Sequence, residues 1–362
     1  MAVCKDSFFS DLKVVEFSSV LAGPAVGMFF AELGADVIKI ENKTTGGDIT
    51  RSWKQPSEKT DTAVSAYWSS VNWGKKHLFL DLDDPIDRSK ALALAANADV
   101  VISNFKPSSA QRMGVDSASL RAQNKQLIFA QLNAFADPED ESPAFDAVLQ
   151  AEAGFLYMNG EPDRPPVKMP VAMIDILAAH QLKEGILLAL LHRARTGEGC
   201  TITTSLMESA LASLVNQASN FLMNGHIPQR MGTLHPNIAP YGDVFYSADG
   251  FPLLLAVGTA RQFHQLCHCL DLLYLLQKTA FQTNSSRVQH RDQLHDLLAE
   301  SMAKRTIEDL MATFKANGVP AGRIRDLQSV FEKPEAQAMI LKETTQEGEE
   351  TLRIASVALK FS

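Results

Sequence analysis

LKVVEFSSVLAGPAVGMFFAELGADVIKIE, residues 12–41, decides the fold. LKVVEFSS reads as a short buried strand and ADVIKIE as the next one. Between them, AGPAVGMFFAELGA reads as a helix opened by Gly23-Pro24, apolar at Ala25, Met28, Phe29 and Leu33, and stopped by Gly34. Strand, helix and strand within about 30 residues form a βαβ unit, whose crossover requires a parallel pair. Open α/β sheets bind ligands beyond the carboxyl ends of their strands, here near Ser18–Gly23 and Glu41–Thr45. The turn SSVLAGPAVG lacks G-x-G-x-x-G, which argues against a dinucleotide-dependent oxidoreductase. P-loop, H-E-x-x-H and G-x-S-x-G signatures are also missing from the sequence.

Outward from this unit the alternation continues. NKTTGGDITRSWKQPSEKTD is a polar loop long enough to be functional. VNWGKKHLFLDL turns at Asn72–Gly74 into a strand, IDRSKALALAANA is an amphipathic helix, and DVVISNF is another buried strand. KPSSAQRMGV gives a loop and short helix, and LRAQNKQLIFAQLNAF a helix end and one more strand. The first 135 residues therefore predict a doubly wound, Rossmann-like α/β domain. The expected organisation is a large domain at 1–200, a linker helix at 201–225, a smaller α/β domain at 226–324 and a C-terminal segment, 325–362, returning to the large domain. The smaller domain includes a hairpin turning at Ala248–Gly250.

Composition limits the partners. With 46% hydrophobic and 21% charged residues in 362, the chain reads as an ordinary globular protein. A net charge of -8 argues against nucleic acid, though not against a local basic patch for a small anion. Cys4, Cys200, Cys267 and Cys269 are too scattered for a disulfide framework, and the N-terminus shows no signal-peptide pattern. Apolar runs are too short to span a bilayer, so a cytoplasmic protein without membrane contact is expected.

Two groups of residues suggest chemistry. Lys39, Lys75, Lys76, Lys106 and Arg112 lie near predicted strand ends and together suggest a site for a phosphate-bearing ligand. Asp175, in VAMIDILAA, is an acid among apolar neighbours at the start of a helix that GILLALLHRA continues as a core segment, ending at Gly197. It suits either a helix-capping residue or a carboxylate nucleophile kept ionised by the helix start. His264, Cys267 and His268 would share a helical face, but QFHQLCHCLDLLYLL reads as a core-facing helix and no second ligand group follows, so no metal is expected.

The chain resembles the family III CoA-transferases, the group containing formyl-CoA transferase, carnitine CoA-transferase and the 2-methylacyl-CoA racemases. The stretches that carry the resemblance run in order from residues 12–41 through NWGKKHLFLDL (72–82), ADVVISNFKPSSAQRMGV (98–115), RARTGEG (193–199) and HPNIAPYG (235–242) to GVPAGRIRDLQSV (318–330). The resemblance implies a CoA-transferase in an interlocked homodimer, with acyl-CoA and a small carboxylic acid as substrates and no permanently bound cofactor. It assigns the covalent nucleophile to Asp175, through aspartyl anhydride and thioester intermediates. CoA contacts fall on Val20, Leu21, Lys75, Asn104, Phe105, Arg112 and Met113.

Three departures qualify it. Asn42, with Lys43 beside it, stands where many members have a phosphate-binding Arg, leaving Lys43 or Arg51 as substitutes. Leu21 replaces the Gln of formyl-CoA enzymes, which argues against oxalate or formate. Phe145-Asp146 replaces the His-Asp pair of the racemase branch, removing one base from a two-base proton exchange. Racemase or epimerase activity and a non-catalytic CoA-binding role remain the alternatives. Arg230, His235 and Tyr241 are further candidates for carboxylate or carbonyl contact.

Overall fold

The computed structural model describes residues 8–137, 139–140 and 142–360, so Cys4 lies outside the described residues. Residues 8–155, 168–227 and 335–360 form one compact unit, and residues 156–167 with 228–334 form a second.

The first unit carries β1 (Lys13–Phe17), α1 (Ala22–Glu32), β2 (Asp36–Asn42), a short α2 (Ala66–Ser69) and β3 (Lys76–Leu80). It continues with α3 (Pro85–Ala96), β4 (Val100–Ser103), α4 (Pro107–Met113), α5 (Ser117–Gln123) and β5 (Ile128–Asn133). After α6 (Asp146–Glu152) and the single turn α7 (Phe155–Met158) come the long α8 (Met173–Thr196) and β6 (Thr201–Ser205). The strands form one parallel sheet in the order β3-β2-β1-β4-β5-β6, the doubly wound arrangement. Alternate residues serve opposite faces. Val14, Val100 and Ile102 pack with Val26 and Phe30 of α1 and Ile174, Leu182 and Ile186 of α8. Val15, Val101 and Phe129 pack with Ala91, Ala95 and Leu120 on the other side.

Two local expectations change. The linker helix expected at 201–225 begins as β6 and continues as two helices, α9 (Leu206–Ala212) and α10 (Val215–Asn224), broken where Val215 has φ 39. The second half of α8 is not enclosed by this chain: Ile186 and Ala189 are buried, but Leu188 and Leu191 are exposed.

In the second unit an antiparallel sheet is built from β7 (Tyr241–Tyr246), β8 (Pro252–Ala256) and β9 (Ala321–Arg323). Its core is filled by α11 (Ala260–Cys269), α12 (Thr279–Gln282), α14 (Arg291–Met302) and α15 (Ile307–Ala316), with α13 (Asn284–Gln289) between α12 and α14. The chain closes through α16 (Leu327–Phe331), α17 (Pro334–Gln337) and the hairpin β10 (Ile340–Thr344)–β11 (Glu350–Ile354). Among the described residues no helix is long and apolar enough to cross a membrane.

Candidate active site

Strand order reverses between β1 and β4, so the loops leaving their carboxyl ends diverge and open a crevice. Asn104, after β4, ties the two loops together. Its Oδ1 accepts from the Ser19 N–H at 3.2 Å and its Nδ2 donates to the Ser19 carbonyl at 3.0 Å. Val20 follows at φ 73, a left-handed conformation uncommon for a β-branched residue, and Leu21 leads into α1.

Three adjoining cavities line this crevice. The smallest, about 130 Å³, is walled by Val20, Leu21, Asn104, Phe145 and Asp175. The largest of the three, about 400 Å³, takes in Asn42, Phe105, Arg112 and Met113, and shares Ser19 with the first. The remaining one, about 250 Å³, shares Asn104 and Phe145 with the first and Phe105 with the second. Of the residues singled out in the sequence, Val20, Leu21, Asn104, Phe145 and Asp175 thus surround the small cavity, and Lys39, Asn42, Phe105, Arg112 and Met113 the large one. Arg112 stands exposed at the rim, paired with the equally exposed Asp83. Asn42 uses its side-chain oxygen to accept the Thr44 N–H at 2.9 Å.

Lys43 and Lys75 stand apart. Lys43 is exposed, with its Nζ 3.9 Å from Asp87. Lys75 is a correction, because its ammonium is enclosed rather than presented to a ligand. It donates to Glu16 at 2.8 Å, to the Pro24 carbonyl at 2.8 Å and to Asn72 at 3.3 Å. Lys39 is likewise buried, with its Nζ 2.7 Å from Asp48 and 3.4 Å from Glu16. Burial alone would lower the Lys39 pKa, but the carboxylates of Glu16, Asp48 and Glu41 outweigh it and raise the value. Arg51 cannot stand in for the missing phosphate-binding Arg. Its guanidinium grips Glu41 at 2.7 and 2.8 Å and lies over Trp68, 4.2 Å from the ring centroid. Burial opposes ionisation of Glu41, yet hydrogen bonds from Arg51 and His77 hold its pKa well below the usual range. In the sequence these cations look like ligands of a strand edge. A parallel sheet covered on both faces instead forces them into a buried network.

Asp175 sits in the first turn of α8, but it is not the cap. Ala172 precedes the helix and offers no side-chain hydrogen bond. Asp146, at the start of α6, takes that role, its Oδ2 accepting the Ile174 N–H at 2.6 Å and the Asp175 N–H at 3.4 Å. Gln150 holds the other Asp146 oxygen at 2.6 Å. Asp175 is only 8% exposed. Burial, and then the negative charge of Asp146, push its carboxyl up to about 7. The helix start therefore does not keep it fully ionised, as the sequence suggested, because desolvation and a like charge outweigh the dipole. Tyr67 of α2 was not singled out in the sequence. Burial first, then the charges of Asp175, Asp146 and Asp48, raise its phenol to about 12. The only sequence signal for it was the length of the polar loop before it.

The remaining candidates lie in the second unit, where each has a structural partner. His235 accepts the Asn237 N–H on its Nδ1 at 3.1 Å and packs against Tyr241, ring centroids 5.2 Å apart. Arg230 donates to the Tyr157 carbonyl at 3.4 Å. His264 and His268 are exposed while Cys267 is buried, so the three do not share a face. No cluster of three or more metal-ligating side chains occurs among the described residues.

A model of CoA-transferase family III matches residues 9–362. A succinate–glutarate CoA-transferase of Agrobacterium fabrum is 38% identical over 338 residues, covering 92% of this chain and 84% of that protein. A succinyl-CoA:mesaconate CoA-transferase of Haloarcula hispanica is 32% identical over 362 residues, covering 97% and 89%. The crystal structure of a CAIB/BAIF family protein from Brucella suis superposes with a TM-score of 0.86 at 37% identity, covering 100% of this chain and 93% of that one.

Proposed function

The chain belongs to CoA-transferase family III, an enzyme moving CoA between an acyl-CoA and a carboxylic acid, and from that premise we propose that Asp175 is its covalent nucleophile. The observation that carries the proposal is a single carboxylate, shielded from water, on the wall of a small cavity that shares Ser19 with a larger one. The larger cavity suits the CoA moiety, with the exposed Arg112 on its lining, the exposed Lys43 next in sequence to its wall residue Asn42, and Phe105 and Met113 on its walls. Lys75 acts from behind, supporting α1 through its bond to the Pro24 carbonyl.

An ionised Asp175 oxygen attacks the thioester carbonyl, the C–S bond breaks, and CoA leaves as thiolate. The thiolate then attacks the aspartyl carbonyl of the mixed anhydride and releases the donor carboxylate, leaving an aspartyl-CoA thioester. The acceptor acid repeats the sequence in reverse, and no net proton is taken up. A carboxylate stripped of water is a better nucleophile, and the anhydride needs the same shielding from hydrolysis. The named activities of the relatives favour succinyl-CoA as donor and a short dicarboxylic acid as acceptor. Apolar side chains left exposed on α8 and α10, among them Leu188, Leu191, Phe221, Leu222 and Met223, support the homodimer.

Incubation with succinyl-CoA and a panel of mono- and dicarboxylic acids, followed by mass spectrometry, should show a new acyl-CoA with a dicarboxylic acceptor. Deuterium entering C2 of a 2-methylacyl-CoA in heavy water, with no acceptor acid, would instead establish the epimerase reading. Phe145 disfavours that outcome, since a phenyl ring at the wall of the Asp175 cavity can move no proton.

The same site predicts a pH effect. The acid limb of kcat/KM should lie near pH 7, where Asp175 ionises in the free site. Asp146→Asn removes the neighbouring negative charge but keeps an oxygen to cap α8, so the limb should move to lower pH. An unmoved limb would show that Asp146 does not act on Asp175 electrostatically.

A further inference from the structure

We infer that Asp48 is a positioning residue, holding the Val20 backbone in its left-handed conformation so that the Ser19–Leu21 wall faces Asp175; the inference rests on the site assignment above.

A β-branched residue at φ 73 costs on the order of 1–3 kcal/mol and persists only where its surroundings enforce it. Here the enforcing group is visible. The Val20 N–H points at the Asp48 carboxylate, 3.2 Å from Oδ2 and 3.4 Å from Oδ1. Asp48 is itself fixed on every side. Oδ2 accepts Lys39 Nζ at 2.7 Å, and Oδ1 accepts the Thr50 N–H at 3.0 Å and its hydroxyl at 2.8 Å. The Asp48 N–H donates to Glu41 at 2.7 Å, and Glu41 is gripped in turn by Arg51. Asn104 clamps Ser19, the residue before Val20, on both its N–H and its carbonyl. The turn is therefore held from two sides, and its residues Ser19, Val20 and Leu21 all line the Asp175 cavity. The buried network has a function beyond packing: it sets the shape of the reacting cavity.

Four donors converge on the Asp48 carboxylate, so an amide, with one acceptor oxygen, cannot serve them in either orientation. Asp48→Asn should free the turn. Hydrogen exchange of the Ser18–Leu21 segment should rise, while that of the second unit stays unchanged. kcat should fall by about 10²-fold, the scale of a 1 Å misplacement, with KM for succinyl-CoA unchanged. Adding Val20→Gly should restore much of kcat, because glycine takes this conformation without strain. If the lone Asn variant fails to fold, Lys39→Met/Asp48→Leu removes both charges together, keeps the core neutral and still leaves the Val20 N–H without its acceptor. Unchanged exchange at Ser18–Leu21 in the variant that folds would overturn the inference, as would equal losses of kcat with and without Val20→Gly. The exchange measurement needs no turnover, so a wild-type protein inactive on succinyl-CoA would reject the substrate assignment while the role of Asp48 was still decided.

Discussion

Asp175→Ala should abolish CoA transfer, lowering kcat by at least about 10⁴-fold, the scale seen when a covalent nucleophile is deleted. Affinity for acyl-CoA, measured by calorimetry, should stay close to that of the wild type, because the larger cavity, proposed for the CoA moiety, is lined by other residues. Retained turnover would move the nucleophile elsewhere. Asp175→Asn gives a companion test that excludes misfolding. In the unfolded chain an Asp titrates near 3.9, but in this site it is raised to about 7. The folded state thus holds the extra proton, and the stability linked to it is fully present below about pH 4 and lost as pH rises through about 7. Asparagine does not titrate, so the variant should gain on the wild type across that window, by on the order of 4 kcal/mol at pH 8 and above. Equal denaturation midpoints at pH 5 and pH 8.5 would show that Asp175 is solvated.

Glu16→Gln should be the most damaging substitution away from Asp175. Glu16 is fully buried on β1, bonded to Lys75 at 2.8 Å and 3.4 Å from Lys39. Removing its charge leaves a buried cation short of a partner, which costs about 3–5 kcal/mol. Because two positive groups share this carboxylate, the loss should show in both urea stability and expression. Glu16→Gln/Lys75→Met removes one charge of each sign and should recover most of the loss. A single variant within about 1 kcal/mol of wild type would mean that water reaches the pair. Gly27 adds an independent sign of crowding there. A Cβ at that position of α1 would sit 2.0 Å from Glu16 Oε2, so the helix packs on the ion pair with no room for a methyl group.

The sheet was legible in the sequence because hydrophobic periodicity switches cleanly from strand to helix over residues 12–41, and again through residue 133. Val20, Leu21, Asn104 and Phe105 came from the family resemblance, and the doubly wound order explains only why they lie near one another, since it brings the ends of β1 and β4 together. What could not be read was partnership. Lys39, Arg51 and Lys75 carry the same letters as surface cations, and only the packed sheet shows that Glu16, Glu41 and Asp48 hold them inside. Asp146 stood out in the sequence only as half of a missing pair. Its capping of α8 depends on α6 lying beside that helix start, 28 residues away in sequence. The break at Val215 and the exposed flank of α8 escaped for a different reason: periodicity reports that a face is apolar, not what covers it.

In the proposed mechanism the Asp175 carboxyl becomes covalently linked during turnover. The full-length protein, incubated with succinyl-CoA and then reduced with borohydride, should yield after digestion a peptide in which the Asp175 carboxyl has become a primary alcohol, and only when the thioester was present. Modification mapped to any other acid, or none at all while CoA transfer proceeds, would contradict the account.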